Sequence, residues 1–303
     1  MQNQSRKNDS HWTILKILNW TTSYFKSHNI DSPRSTAEIL LAHALKLKRI
    51  DLYLRYDQPL YSNELTRFKA LIKKRINREP VAYIVRVKEF WSMDLTVTKD
   101  VLIPRPETEC LVETALSLLP ENSNIRSTFE QKRILELGTG SGAVILALAS
   151  CRINNLFFAS DIFIKSVAVA KHNAKCHALD GAINFFVGDW FSPVKKGNQS
   201  FDMIISNPPY VQTQIINKLQ PEIYMYEPSR ALDGGIDGLH VIRHIINNAQ
   251  AYIKPHGYLL LEIGHAQKDE VVDIVNSCGD YDLIFFTKDY SGYDRVVQMR
   301  KKL

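Results

Sequence analysis

The chain has 303 residues, of which 45% are hydrophobic and 23% charged. That is enough for one large or two ordinary globular domains with real cores. No apolar run approaches the roughly 18 residues of a membrane span, and residues 1–10 lack the apolar stretch of a signal peptide, so a cytoplasmic chain is expected. The net charge of +6 is uneven: residues 1–100 carry 18 Lys and Arg against 10 Asp and Glu, the remainder 20 against 22. The front of the chain is therefore the part suited to an acidic partner or nucleic acid, or simply a solvated basic helical face.

Residues 11–80 read as helices. Trp12, Leu15, Ile17, Leu18, Tyr24 and Phe25 form one apolar stripe. A second helix starts at Ser32-Pro33, with Glu38 as an early acid facing the dipole, and carries Ala37, Leu40, Leu41, Ala44 and Leu45. A third spans residues 62–77, with Leu65, Phe68, Leu71 and Ile72 at helical spacing. Its late cations, Lys73, Lys74, Arg75 and Arg78, suit a helix C-terminus. Residues 1–80 are thus a small helical-bundle domain. Residues 81–104 turn β-rich, at Ala82-Tyr83-Ile84-Val85 and over 90–97, and predict a β-hairpin linking two domains. Pro106-Glu107-Thr108-Glu109 opens a helix with Pro in its first turn, and residues 120–132 are polar enough for a surface connection.

From Arg133 onward strands and helices alternate, which predicts a mostly parallel sheet with helices on both faces over residues 105–303. The strands are Ile134-Leu135-Glu136-Leu137, then 156–160 ending at Asp161, 183–187 ending at Gly188-Asp189-Trp190, 201–205 running into Asn207, 258–263, and two late ones near 283–287 and 295–300. Seven strands result. The intervening helices fall at 143–149, 167–174, 238–252 and 267–277. Cys110, Cys151, Cys176 and Cys278 are scattered without a C-x-x-C, so reduced and mostly buried thiols are expected rather than a disulfide framework. His172 with Cys176 and His177, and His240 with His244, fall short of a metal ligand set, and no metal site is expected.

Four successive strand ends carry polar residues. Glu136-Leu137-Gly138-Thr139-Gly140-Ser141-Gly142-Ala143 leaves the first strand and opens a helix; its glycines permit a tight turn and close backbone approach to a ligand. In letters it also satisfies the dinucleotide pattern G-x-G-x-x-A. Glu136, two residues before the first glycine, could hold a cationic amine or a bound water. Three glycines in five residues leave little apparatus for a pyrophosphate. Asp161 lies 23 residues after Gly138, where a carboxylate binds ribose hydroxyls. Asp189-Trp190 could accept from an adenine amino group and cover a base. Ser206-Asn207-Pro208-Pro209-Tyr210 must leave the sheet as a stiff extended turn, because two prolines neither donate to a ladder nor continue it. It holds one amide side chain, free carbonyls and an aromatic ring in fixed relation, a corner able to grip a planar NH₂.

This layout resembles the class I, Rossmann-like methyltransferases that use S-adenosylmethionine. The Asn-Pro-Pro-Tyr corner resembles the subset that methylates a planar exocyclic or amide nitrogen. Glu79-Pro80-Val81-Ala82-Tyr83-Ile84, Glu89-Phe90-Trp91 and Ile103-Pro104-Arg105-Pro106-Glu107-Thr108-Glu109 narrow it further, as do Gly188-Asp189-Trp190-Phe191, Tyr226-Glu227-Pro228 and the run from Ala231 to Leu239. Together they resemble the peptide chain release factor N5-glutamine methyltransferases over residues 11–300. Glu136 stands where that family usually has Asp, which keeps the carboxylate. Arg86 stands, in the expected hairpin, where it usually has Gly; an Arg could not adopt a glycine-only backbone angle cheaply, so the hairpin's local geometry is expected to differ there.

The resemblance implies methyl transfer to the glutamine side chain of a Gly-Gly-Gln loop. Asn207 and Pro208 would accept the amide N–H bonds, Pro209 and Tyr210 would complete the substrate corner, and Tyr210 would pack on the amide plane. Cofactor binding would fall to Glu136, Gly138, Thr139, Gly140, Gly142, Asp161, Asp189, Trp190 and Asn207. The basic front would dock an acidic release factor; a monomer without direct nucleic-acid contact is expected. The alternatives are an N6-adenine methyltransferase of DNA or RNA, which would have to extrude its base, glutamine methylation of a ribosomal protein, or a non-enzymatic or NAD-binding module using the glycine loop alone.

Overall fold

The structure, a computed structural model, describes residues 12–120 and 131–303. The expectations for residues 1–10, and for most of the connection at 120–132, lie outside the described residues. The chain divides into two units, Met1–Arg86 and Val87–Leu303.

The first unit is helical: α1 (Ile14–Ser27), α2 (Pro33–Leu45), α3 (Arg49–Leu54), α4 (Ser62–Ile76) and α5 (Val81–Val85). Its core gathers Ile14, Ile17, Leu18, Phe25, Leu40, Leu41, Leu52, Phe68, Ile72 and Ile84. Each large apolar side chain so buried stabilises by about 1.5–3 kcal/mol before conformational entropy is charged against it. Glu38 does not face the α2 dipole as expected. It is buried and accepts from Arg34 Nε at 2.7 Å, Arg49 Nη2 at 2.8 Å and the Tyr53 hydroxyl at 2.6 Å. Burial pushes this carboxyl up, and the hydrogen bonds from Arg49, Tyr53 and Arg34 outweigh it and hold the group below its ordinary range. On α4, Arg67, Lys69, Lys73 and Lys74 are exposed, whereas Arg75 turns inward.

Residues 81–85 are helical, not extended. Pro80 precedes the first turn with φ −56°, and the turn buries Tyr83 and Ile84; burial in a helical core overrides the β preference of this aromatic and β-branched run. The hairpin comprises β1 (Val87–Phe90) and β2 (Met93–Thr96) alone. Its two-residue turn places Trp91 at φ 52° and Ser92 at φ 56°, the left-handed pair that hairpins usually assign to Asn-Gly. Two anchors offset that cost: the Trp91 N–H donates to Glu109 Oε1 at 3.0 Å, and its indole N–H lies 3.2 Å from Cys151 Sγ.

The rest of the second unit runs α6 (Glu109–Leu118), β3 (Arg133–Leu137), α7 (Ala143–Cys151), β4 (Leu156–Asp161), α8 (Ile164–Cys176), β5 (Ile183–Val187), β6 (Phe201–Ser206), α9 (Thr213–Ile216), α10 (Pro221–Tyr224), α11 (His240–Ala249), β7 (Ile253–Glu262), α12 (Lys268–Cys278), β8 (Tyr281–Lys288) and β9 (Asp294–Lys301). Among the described residues, seven strands make one sheet in the order β5-β4-β3-β6-β7-β9-β8, parallel except for β9, which is antiparallel to both neighbours. Side chains alternate between its faces. Ile134, Met203, Ile205 and Leu260 pack with α6 and α7, while Leu135, Ile204, Leu259 and Leu261 pack with α11 and α12. Asn173 of α8 docks the hairpin through both Thr96 backbone groups, at 2.8 and 3.0 Å. Of the four free cysteines only Cys110 is buried and Cys176 is exposed, so the thiols are less sheltered than expected.

Arg86 ends α5 with φ 62° and ψ 22°. It therefore takes the left-handed helical region, open to any L-residue at a cost of roughly 1–2 kcal/mol, rather than a region reserved for glycine. Replacing it by Gly removes this strain but loosens the unfolded chain. Arg86→Gly is expected to stabilise the fold by about 0.5–1 kcal/mol and so to raise the midpoint of unfolding in urea; a lower midpoint would contradict the strain.

Candidate active site

The order of the sheet reverses between β3 and β6: the chain passes outward through β4 and β5, then returns to β3's other side. A crevice forms at the C-terminal ends of parallel strands wherever the order reverses in this way. Here it is a cavity of ≈ 330 Å³ whose lining includes Glu136, Gly138, Thr139, Gly140, Asp161, Asp189, Trp190, Asn207 and Pro209. A smaller recess of ≈ 50 Å³ adjoins it at Asn207 and is lined by Pro208, Tyr210, Leu102, Arg105, Val211 and Leu232. The strand-end residues read from the sequence are thus brought together, with one exception. Gly142 does not line the cavity; a β-carbon there would come within 3.1 Å of Leu146 Cδ1 and 3.2 Å of Ala170 Cβ. It keeps α7 close to α8 instead.

Each side chain is held by its own element. The glycine loop turns on φ 70° at Gly138 and 55° at Gly140, and a β-carbon on Gly140 would meet only open space. Trp190, itself left-handed at φ 45°, sets its ring edge 3.8 Å from the β-carbon that Gly138 lacks. Asp161 supports the loop from the neighbouring strand: Oδ2 accepts the Gly140 N–H and Oδ1 the Phe163 N–H, both at 3.0 Å. Burial pushes its carboxyl up, and these backbone bonds pull it partly back. Asp189 is exposed at the rim.

Glu136 shares the Ile134 face of β3 and lies at the start of α7. It is buried and accepts the Thr139 hydroxyl at 2.5 Å. Burial lifts its pKa to about 8, because the Thr139 hydroxyl and the Ile145 backbone return only part of the lost hydration. A cation placed beside it would favour the carboxylate.

At the other end of the crevice, Asn207 Nδ2 donates to Thr108 Oγ1 at 3.1 Å and the Tyr210 hydroxyl donates to Glu262 Oε1 at 3.2 Å. Glu262 ends β7 fully buried. Burial raises its carboxyl to about 7, while the Thr108 hydroxyl, Arg295 and the Tyr210 hydroxyl favour its ionised form. The segment before α6 is bound to a distant loop: Glu227 Oε2 accepts the Ile103 N–H at 3.1 Å, and Glu227 Oε1 meets Arg105 Nη2 at 2.5 Å. The cavity's outer wall is a stack of Arg230 on the Phe163 ring at 3.5 Å, with Arg230 also donating to the Asp100 carbonyl at 3.2 Å.

The family described as PrmC N-terminal domain matches residues 16–85, and that described as Methyltransferase small domain matches residues 113–226. A release factor glutamine methyltransferase of Geobacter sulfurreducens is 38% identical over 94% of this chain and 96% of its own length. The chain belongs to the release factor glutamine methyltransferases. A second member, from Coxiella burnetii, is 39% identical over 89% of this chain and 92% of its own. The solved structure of human methyltransferase 10 domain containing protein shares the fold, with a TM-score of 0.51 at 14% identity over 70% of this chain and 89% of that one.

Sequence reasoning missed five residues of the site. Phe163 and Arg230 build the outer wall; Thr108, Glu227 and Glu262 hold the corner from behind. The first four sat inside or beside quoted motifs without an assigned task, and Glu262 was read only as a strand residue.

Two buried carboxyls with raised pKa give a definite pH dependence. Glu136 and Glu262 ionise near 4.5 when free, and at about 8 and about 7 in the fold. Between these limits the folded chain binds more protons than the unfolded one, so stability falls as pH rises through the window. Glu136 alone costs on the order of 3–5 kcal/mol by pH 8. Thermal unfolding of the ligand-free protein is expected to be easier at pH about 8.5 than at about 6, and Glu136→Gln is expected to flatten most of the change. An unaltered slope in the variant would refute the assignment.

Proposed function

We propose that this chain transfers a methyl group from S-adenosylmethionine to the side-chain nitrogen, N5, of the glutamine in the Gly-Gly-Gln loop of peptide chain release factors. The observation that carries the reading is a shared cavity. The Asn207 corner opens on the same space as Glu136, Gly140 and Asp161, so a planar NH₂ held at one end faces a ligand held at the other.

The residues present suit the cofactor. A buried carboxyl at Glu136 matches its cationic amino-acid end, Asp161 its ribose hydroxyls, and Asp189 with Trp190 its adenine. The bare backbone of Gly138 and Gly140 leaves the close approach such a ligand needs. When bound, S-adenosylmethionine supplies an electrophilic methyl carbon activated by the adjoining sulfonium.

A glutamine nitrogen is a weak nucleophile because its lone pair is delocalised into the carbonyl. No side chain here is basic enough to remove its proton beforehand, so holding and aligning must supply the acceleration. Near-attack alignment can contribute about 7–11 kcal/mol. The Asn207 side-chain oxygen and the Pro208 carbonyl accept the two amide N–H bonds, and both strengthen as positive charge develops on nitrogen. Tyr210 flanks the amide plane, its hydroxyl directed away to Glu262. The alkylated nitrogen is acidic and loses its proton to solvent without a dedicated base. Exposed cations on α4 of the helical unit suit an acidic partner surface.

Incubation of a purified release factor with enzyme and cofactor is expected to add one methyl increment to the tryptic peptide bearing Gly-Gly-Gln, with no incorporation into DNA or RNA. An unmodified peptide would overturn the proposal. Asn207→Ala should lower turnover by about 10²–10³-fold while cofactor still binds. Asp161→Ala should instead weaken cofactor binding by about 10-fold or more, the worth of a charged hydrogen bond. Calorimetry with S-adenosylmethionine separates the two effects.

A further inference from the structure

A side-chain amide can be held either way round, and only one way serves this corner. With its oxygen toward the cavity, Asn207 accepts from the substrate NH₂. Turned over, it would set NH₂ against NH₂. Asn207 cannot decide this itself, since the two ends are nearly the same size. Nor can Thr108 alone, because a hydroxyl both donates and accepts.

The decision lies one residue further back. Glu262 is buried, and its Oε1 accepts a hydrogen bond from the Tyr210 hydroxyl at 3.2 Å. Oε2 is buried too, with no hydrogen-bond partner within ordinary distance among the described residues. It is the acceptor on offer to the hydroxyl of Thr108, a buried residue whose Oγ1 meets Asn207, the residue that follows Ser206 as Glu262 follows Ser206's strand partner Leu261. Once the Thr108 proton is directed there, Oγ1 presents only a lone pair to Asn207, and only Nδ2 can meet it, as it does at 3.1 Å. Glu262 and Asn207 lie on parallel neighbours, β7 and the exit of β6, so the arrangement is backed by the sheet. Behind it Arg295 is fixed by Asp289 at 3.1 Å and by the Ile263 carbonyl at 3.1 Å.

We propose that Thr108 and Glu262 are positioning residues: Glu262 accepts hydrogen bonds from the hydroxyls of Thr108 and Tyr210, Thr108 accepts the Asn207 Nδ2–H, and Asn207 thereby presents its oxygen to the incoming amide. This rests on the reading of Asn207 as the acceptor of a substrate N–H. A buried acid where the reaction uses no acid acquires a task, which is, in its ionised form, to give a neutral chain of hydrogen bonds one direction.

The test has two arms on the full-length protein. In the first, without substrate, protein labelled with ¹⁵N-asparagine is followed by hydrogen exchange, the Asn207 side-chain signal being assigned by its loss in Asn207→Ala. One Nδ2 proton is expected to be protected in wild type and in Thr108→Ser, and unprotected in Thr108→Val. In the second, Thr108→Val is expected to lower kcat on the release factor by about 10–100-fold, the effect of a buried donor left unpaired. Affinity for S-adenosylmethionine should stay near wild type, the melting temperature should fall by a few degrees at most, and Thr108→Ser should restore most of the rate. An unprotected Nδ2 in wild type, or a Thr108→Val enzyme with wild-type kcat, overturns the proposal. If wild type itself leaves the release factor unmodified, the functional reading fails and the exchange arm alone decides the orientation.

Discussion

Parallel pairing of β3 with β4 on one side and β6 on the other is the constraint from which the site follows. Glu136 sits opposite Ala159 and Ile205, and Leu137 opposite Ser160 and Ser206. With the strands in this register, their C-terminal ends fall at one level, and the residues just past them, Gly138, Asp161 and Asn207, share one crevice. A slip of one residue in β3 would turn Glu136 from the α7 face to the opposite one and would bury Leu135 on the wrong side. The same alternation that fills the two cores therefore aims the carboxyl. Stability and placement cannot be separated in this strand.

Geometry at the other end of the cavity depends on a short polar segment. Arg105 reaches Glu227, Thr108 meets Asn207, and Glu109 holds the Trp91 backbone. Three stretches far apart in sequence are thus tied to one run of five residues. A buried ion pair such as Arg105 with Glu227 is weak evidence of stability, since desolvation consumes most of its attraction. Its directionality is worth more here, because a bidentate carboxylate joining a guanidinium and a backbone N–H permits one arrangement of the two loops. This explains why a chemically costly set of charges stands where apolar residues would pack as well.

The alternation of strands and helices was legible in the sequence because it rests on periodicity and on turn residues, which are local. Strand β5 falls at the predicted residues, and β3, β4 and β6 within one. The strand-end polar residues were legible for the same reason: a polar group at the end of a buried run stands out. Helix α5 was not, because Tyr83, Ile84 and Val85 favour strands and only a helical core of distant residues reverses them. Helix α3 is too short for its period to register. Thr108 and Glu262 were illegible as a pair because they lie far apart in sequence and only the folded chain gathers them about Asn207, Thr108 by a hydrogen bond and Glu262 by strand pairing, and Glu262 reads as the polar end of an apolar strand. Arg86 was seen as unusual, but its consequence was misplaced: it ends a helix rather than shaping the hairpin.

The walls of the cavity differ in compliance. On the sheet side, moving any residue strains ladder hydrogen bonds and two packed cores. On the outer side, Phe163 and Arg230 are both exposed and are joined by a stack, with Arg230 also donating one hydrogen bond to the Asp100 carbonyl. A contact of that kind is worth about 0.5–2 kcal/mol, a few multiples of thermal energy at most. The crevice thus has a stiff floor and one yielding side, so its width can change at that side without disturbing the strand register that sets the far end.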